Sequence, residues 1–205
     1  MSAPTALDRN QRAEAARAAR SAEILDAARR VFAERGFKGT TIADIAEAAG
    51  IALGTIYLYF PSKDDVFAAL SRRFGELIAS SISANVQSDS LEGSVRSRVR
   101  NVFDVCAANR DLVRLVVLNT DPNSAVEQRM RARSDHHHQP MVDALTNSAK
   151  LGFTRNADPV VMTRLIIGLV SIAVYQAFIL SDGSDADSLR DECAEMIIAY
   201  LRPVA

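Results

Sequence analysis

Apolar side chains recur at intervals of three and four residues along most of the chain, and this spacing limits the fold more than any other feature. Ile24, Ala28, Val31 and Phe32 form one such face, and a second stripe runs through 66–78. A repeat of 3.6 residues is typical of helices that bury one side, whereas half-buried strands alternate with a period of two. Because no such alternation is visible, we predict an all-α protein of about nine helices.

Capping and helix-ending residues divide this helical pattern into elements. Ser21 is a candidate N-cap, and Gly36 and Gly50 can take the left-handed conformation that ends a helix. Thr41 and Asp44 have the spacing of a capping box. The predicted helices are 21–35, 42–49, 52–59, 63 to the low 80s, 92–108, 110–119, 123–150, 158–181 and 185–202.

Composition and cysteine usage restrict the cellular setting. Apolar residues make up 48% and charged residues 24%, which is ordinary for a globular protein. Cys106 and Cys193 lie in apolar helical patterns without a CxxC pair, which favours a reducing, cytoplasmic setting over a disulfide framework. The N-terminus has no signal-peptide pattern. The uncharged run 165–180 is shorter than the roughly 20 residues that span a bilayer, so we expect a core or subunit-interface helix and no membrane contact.

Basic side chains are concentrated at the start of the chain. The net charge is −1, yet residues 1–38 hold eight Lys or Arg and five Asp or Glu. This asymmetry favours a polyanionic partner for the N-terminal part alone. Residues 1–20 are predicted to be a basic arm, whose arginines either enter a DNA minor groove or lie on a solvated extension of the first helix. These arginines are Arg9, Arg12, Arg17 and Arg20.

The stretch 41–63 has the pattern of a helix-turn-helix, with two short helices about Gly50. The second helix of that motif enters the DNA major groove. Ile56 can hold this helix on the core, whereas Tyr57 and Tyr59 fall on other faces and offer a hydroxyl and an apolar ring to phosphates and bases. A helical hairpin of this size also occurs in proteins that never bind DNA, so spacing alone leaves both interpretations open.

Three further residues of this stretch suit contact with DNA. Gly54 permits close approach to the sugar-phosphate backbone, and Lys63 can reach a phosphate. Thr41 presents a hydroxyl and amide donors at a helix N-terminus.

Residues 24–70 resemble the N-terminal domain of TetR-family transcriptional regulators. The resemblance rests on F-x-x-x-G-F at 32–37, T-T-I at 40–42, A-G-I at 49–51 and G-T-I-Y-x-Y-F-x-S-K at 54–63. It implies a homodimeric regulator that binds a double-stranded, palindromic operator and is released by a ligand, most simply as a repressor of nearby genes.

The same resemblance implies a division of the chain and a set of site residues. Residues 21–66 would bind DNA, and residues 67–205 would bind an effector and dimerise. Ala52 and Leu53 stand where many members of the family carry polar residues, so readout would depend on Thr55, on thymine methyl groups and on DNA shape. The implied DNA-facing residues are Thr41, Ala52, Leu53, Gly54, Thr55, Tyr57, Tyr59 and Lys63.

The C-terminal part offers a dimer contact and a candidate pocket. Helix 158–181 is apolar almost all round and must be buried on most sides, with helix 185–202 beside it. The resemblance implies that both join a four-helix bundle across a two-fold axis; burial within one chain is the alternative. Soft or polar residues in apolar stretches are candidates for a pocket that takes a small, mostly apolar effector. They are Cys106, Asn119, Met130, His137, Met141, Tyr175, Gln176 and Phe178.

Two other functions stay open: a helical small-molecule carrier without DNA binding, and a metal sensor built on His136–His138. Successive helical side chains point about 100° apart, so these histidines do not converge on one ion, and we predict no metal and no cofactor. The chain shows no phosphate-binding glycine loop and no H-E-x-x-H motif, so we predict a regulator and not an enzyme.

Overall fold

A computed structural model describes residues 6–83, 90–119 and 125–203, and every regular element in those ranges is helical. The all-α class predicted from the spacing is therefore confirmed. The elements are α1 (Ala6–Arg35), α2 (Ile42–Ala48), α3 (Leu53–Ile56), α4 (Lys63–Ser83), α5 (Leu91–Ala108), α6 (Arg110–Asn119), α7 (Ala125–Lys150), α8 (Pro159–Tyr175), which continues as a π-turn (Gln176–Leu180), and α9 (Ala186–Leu201).

The chain divides into two compact units after Ser71, within α4. The predicted boundary at residue 66 is close to this division, and the functional assignment of the two parts stays a prediction. In the first unit, each of the first four helices contributes a large, fully buried side chain to the core. These are Ile24, Ile45, Ile56 and Val66.

The first helix begins earlier than the sequence predicts, because Ser21 lies inside α1 and is not its N-cap. Residues 10–20 are helical and exposed. Alanine, arginine and glutamate are good helix formers, which explains a helix here without an apolar stripe. The described part of the basic arm thus continues α1 as a helix, and contact of its arginines with a minor groove stays a prediction. The side chain of Arg9 lies outside the described residues.

The ends of the first helices follow the predicted signals. Gly36 and Gly50 have φ of 70° and 66°, in the left-handed region. Thr41 Oγ1 accepts a hydrogen bond from Asp44 N at 3.2 Å, and Asp44 Oδ2 accepts one from Thr41 N at 2.7 Å. The capping box is thus complete at the start of α2.

The third helix is shorter than predicted. Its α-helical part is Leu53–Ile56, followed by a turn in which Tyr59 N and Phe60 N both donate to Ile56 O at 2.9 Å. Pro61 disfavours helical conformation in the residue before it, so the helix does not continue. We call residues 52–60 the recognition segment.

The second unit has a continuous apolar core contributed by α5 to α9. Phe103 of α5 and Phe178 of the π-turn lie with ring centroids 6.0 Å apart in it. Cys106 and Cys193 are buried free thiols, and burial raises their pKa to about 12 and about 11. Both thiols are therefore unreactive packing groups at neutral pH.

Within the single chain, helix α8 buries one side and exposes the other, so the expected burial on most sides is not reached by the chain alone. Met162 and Ile166 lie in the core, whereas Val161, Leu165 and Ile172 are about half exposed. By length and composition alone, Pro159–Leu180 passes as a membrane span, and a third of its most apolar window is buried. The buried side of α8 packs in the core of the second unit, as expected for a core helix of a folded protein.

Two glycines give a matched test of local packing, one beside a close backbone contact and one in open space. A Cβ on Gly39 would lie 2.5 Å from Arg35 O, whereas a Cβ on Gly75 in α4 would meet no atom within 4 Å. We expect Gly39→Ala to lower the free energy of unfolding by about 1–3 kcal/mol. Gly75→Ala should raise it by about 0.5–1 kcal/mol, since glycine weakens a helix interior. Urea unfolding followed by circular dichroism measures both, and equal effects would contradict the Gly39 clash.

Candidate nucleic-acid interface

The recognition segment has an inner and an outer side. Ile56 and Phe60, four residues apart, are buried in the core of the first unit. Leu53 and Tyr57 are each 47% exposed, and Leu58 is 70% exposed. The segment is therefore held by two apolar anchors and presents a leucine-rich, phenolic outer side to solvent.

Leu58 was missed in the sequence-based set of DNA-facing residues, although the signal was present. It lies midway between Ile56 and Phe60, and a helical residue two positions from each of two buried anchors points away from them. It is the most exposed of the large apolar side chains of the first unit.

The other predicted residues of this segment vary in accessibility. Ala52 and Gly54 are exposed, and Thr55 and Tyr59 are half buried. A Cβ on Gly54 would meet nothing within 4 Å. Packing inside the protein thus does not require glycine at this position, which leaves room for a partner surface to approach the backbone.

Thr41 is more committed inside the protein than the sequence suggests. Its hydroxyl donates to Asp44 Oδ2 at 2.7 Å while it accepts from Asp44 N. Arg35 Nη1 lies 2.8 Å from the other oxygen of this carboxylate. The hydrogen bonds from Thr41, helped by Arg35, hold the pKa of Asp44 below its ordinary value. Thr41 therefore acts first as a cap that fixes the start of α2.

Lys63 points mainly inward, which differs from its predicted position on a phosphate. Its Nζ donates to Phe37 O and to Thr40 O, each at 2.8 Å, and lies 4.5 Å from the Phe37 ring centroid. These contacts stabilise the loop between α1 and α2. An ammonium group has three donors, so one remains for a phosphate.

Arg17 is the arginine of the α1 extension that contacts the recognition segment. Its Nη2 donates to Leu58 O at 3.1 Å, and its Cζ lies 5.8 Å from the Tyr59 ring centroid. Arg20, in contrast, pairs with Glu23 of the same helix at 2.6 Å.

The predicted effector residues whose side chains are described lie in different surroundings of the second unit. Cys106 and Phe178 are core residues, and Met141 packs against that core. Asn119 Nδ2 donates to Leu115 O at 2.9 Å. Tyr175 is half buried and Gln176 is exposed. The side chains of Met130 and His137 lie outside the described residues.

Two clefts of the second unit have other linings. One, of about 200 Å³, lies between α8 and α9, and the other, of about 340 Å³, follows the end of α7. Neither of these two is lined by a residue of the predicted effector set. Within residues 6–83, 90–119 and 125–203, no group of three His, Cys, Asp or Glu side chains is arranged to hold a metal. The side chains of His136 and His137 are outside the described part.

The sequence is similar to known bacterial regulators. The family model described as bacterial regulatory proteins, tetR family, matches residues 24–70. The HTH-type transcriptional repressor AcnR of Corynebacterium diphtheriae is 31% identical over 180 residues, which cover 83% of this chain and 85% of that protein. The HTH-type transcriptional repressor KstR2 of Rhodococcus jostii is 32% identical over 108 residues, covering 49% of this chain and 53% of that protein.

Solved structures share the fold. The fatty acid degradation regulator FadR from Bacillus halodurans matches with a TM-score of 0.75 at 24% identity, over 89% of this chain and 96% of that one. The FadR of Bacillus subtilis, solved in complex with stearoyl-CoA, matches with a TM-score of 0.74 at 22% identity, over 88% of this chain and 98% of that one.

The contacts of Lys63 generate a test that separates a structural role from a phosphate contact. Lys63→Met keeps the aliphatic stem and removes the two bonds to the loop carbonyls. We expect it to lower the free energy of unfolding by about 1–3 kcal/mol, the range for hydrogen bonds to a charged donor. Lys38→Met, at an exposed site of the same loop, is the control and should change stability by less than about 0.5 kcal/mol. Unchanged stability in Lys63→Met would show that the bonds to the loop carbonyls do not stabilise the fold.

Proposed function

The chain belongs to the TetR family of bacterial transcriptional regulators, and on that premise we propose that it is a cytoplasmic repressor that binds a palindromic operator as a homodimer. Regulators of this family are not enzymes. The observation that carries DNA binding is the outer side of the recognition segment, where the three large side chains of Leu53, Tyr57 and Leu58 are exposed. We propose that these side chains enter the major groove.

The chemistry of the outer side indicates how the operator is read. Leu53 and Leu58 offer no hydrogen bonds to base edges, but they suit the methyl groups of thymine. Tyr57 adds a hydroxyl for a phosphate or a base. We therefore propose the predicted DNA-facing set with Leu58 added and with Lys63 mainly in a supporting role. Operators rich in A·T pairs, with part of the specificity from DNA shape, fit this surface.

The homodimer is proposed from the exposed face of α8. Val161, Leu165, Gly168 and Ile172 recur at four, three and four residues, which places them on one face, and all four are exposed. Met196 of α9 is 55% exposed beside this stripe, across the 200 Å³ cleft that it lines with Leu165. An apolar face of this extent is costly in water, and a second copy of the same two helices covers it in a four-helix bundle.

Release by a small, mostly apolar ligand is the third part of the proposal. Thr163 on α8 is 2% exposed, and its hydroxyl has no hydrogen-bond partner among the described residues. A buried hydroxyl without a partner is unfavourable by about 1–3 kcal/mol, and a ligand carbonyl or ester oxygen would satisfy it. The FadR of Bacillus subtilis, which shares this fold, was solved with stearoyl-CoA. Fatty acyl-CoA, whose acyl chain is apolar, is therefore the first ligand class to test. Since α4 is shared by the two units, we propose that it transmits ligand binding to the DNA-binding unit.

Two reciprocal substitutions test the DNA face and the dimer face. Leu58→Glu places a negative charge on the proposed DNA face, so we expect operator affinity to fall at least about tenfold while the dimer persists. Ile172→Glu places the same charge on α8, so we expect monomers in analytical ultracentrifugation and weak, non-cooperative operator binding. The probe is DNA upstream of the gene that carries an inverted repeat, with affinity measured by fluorescence anisotropy at several salt concentrations.

Each of these variants serves as the control for the other. Both residues are at least half exposed, so neither substitution should unfold its unit. If Leu58→Glu bound the operator as the wild type does, the recognition segment would not be the DNA face. If Ile172→Glu remained dimeric, α8 would not form the dimer contact.

The effector is tested by titrating the operator complex with stearoyl-CoA, with free coenzyme A as the control. We expect the acyl form to lower operator affinity, since a ligand that prefers the unbound state shifts the equilibrium by its differential affinity. Thr163→Val should reduce this response without loss of stability, because valine has nearly the same shape and no hydroxyl. An undiminished response in Thr163→Val would exclude this hydroxyl from ligand binding.

A further inference from the structure

Leu58 lies in the turn between the anchors Ile56 and Phe60 and is the most exposed large side chain of the recognition segment. Helix α3, which ends at Ile56, has four residues, and its N-cap makes no side-chain hydrogen bond. Ile56 O accepts from two amides of this turn and its end, whereas Leu58 O lies beyond the helix, where a side chain can supply its donor. In this protein the donor to Leu58 O is the Arg17 guanidinium.

Arg17 makes two contacts with this end of the segment. Its bond to the Leu58 carbonyl is charge-assisted, and a cation is favourable at the C-terminal end of a helix. Its guanidinium also lies over the Tyr59 ring, at 5.8 Å from the centroid. The Arg17 side chain, 41 residues earlier in the chain, thus contacts both the carbonyl of Leu58 and the ring of Tyr59.

The helical phase of α1 explains why Arg17 is the arginine that reaches the segment. It lies seven residues, or two turns, before the buried Ile24, so the two side chains share a face of α1. That face packs on the core of the first unit, and its extension toward the N-terminus carries Arg17 to the turn after α3. The exposed, alanine-rich extension therefore has a structural purpose, since without it Arg17 would not be held in place.

We propose that Arg17 is a positioning residue for DNA recognition, which sets the conformation of Tyr57–Tyr59 and so aims the outer side of the recognition segment. This inference rests on the proposed DNA-binding function. Arg17 differs in this from an arm arginine that binds a phosphate directly. A positioning role and a direct phosphate contact predict different losses of affinity for Arg17→Ala and Arg20→Ala, different affinities for Arg17→Lys and different ring signals of Tyr59.

The test compares Arg17→Ala with Arg20→Ala, which removes the same charge three residues away. Wild-type binding to the inverted-repeat DNA is measured first, and its absence would refute the proposed function itself. Given binding, we expect Arg17→Ala to weaken operator affinity about tenfold, the loss typical of a charge-assisted hydrogen bond, and Arg20→Ala to weaken it less than about threefold. The slope of log affinity against log salt should be the same in both variants, because neither loses a phosphate contact that the other keeps.

Two further measurements separate positioning from a phosphate contact and from general stability. Arg17→Lys should restore affinity only in small part, because one ammonium nitrogen must serve both contacts, whereas the guanidinium bonds the carbonyl through Nη2 and lies over the ring with its plane; a phosphate contact would accept lysine. In the free protein, the ring signals of Tyr59 in tyrosine-labelled NMR spectra should move in Arg17→Ala and stay in Arg20→Ala. The chain has four tyrosines, which keeps the assignment simple.

The proposal is overturned by any of three results. The first is equal weakening in the two alanine variants with recovery in Arg17→Lys, and the second is an unmoved Tyr59 signal in Arg17→Ala. The third is a large fall in melting temperature confined to Arg17→Ala, which would assign the residue to overall stability. Thermal unfolding of both variants close to the wild type would show that the affinity change is local.

Discussion

The first unit depends on the simultaneous burial of one isoleucine from each of its first three helices, Ile24, Ile45 and Ile56. Each contributes about 1.5–3 kcal/mol by leaving water. For α3 this contact is decisive, because four residues are too few to form a stable helix alone. The anchors Ile56 and Phe60 thereby fix which side of the recognition segment faces out. The exposed side is a consequence of packing, and its chemistry is free to serve a partner.

Several polar residues that suit DNA by type are engaged in supporting the unit. Thr41 and Asp44 satisfy each other at the start of α2, and Lys63 satisfies two loop carbonyls. Arg17 does the same for the end of the recognition segment. Each of these side chains therefore already has a hydrogen-bond partner inside the unit, although Thr41 and Arg17 are exposed. The outer side that remains, centred on Leu58, is apolar and phenolic.

The second unit shows the opposite balance. Its core is filled by Phe103, Phe178 and their neighbours, yet α8 still exposes a regular apolar stripe. A helix that buries one apolar side and exposes another needs a second covering surface, and the proposed two-fold dimer would provide it with the same residues. The second unit also leaves a polar group unsatisfied, because the buried hydroxyl of Thr163 has no hydrogen-bond partner in the described part.

The sequence by itself determined the helical class, most helix boundaries and the family, because these depend on local spacing and on short motifs such as the Thr41 capping box. It also placed the recognition segment. What it could not decide was which arginine or lysine points where, since a flexible side chain is directed by partners distant in sequence. Only the tertiary structure brought Arg17 to Leu58 and turned Lys63 toward the loop after α1. The effector set stays a prediction: Cys106, Phe178 and Met141 share the core of the second unit, whereas the two clefts described there have other linings.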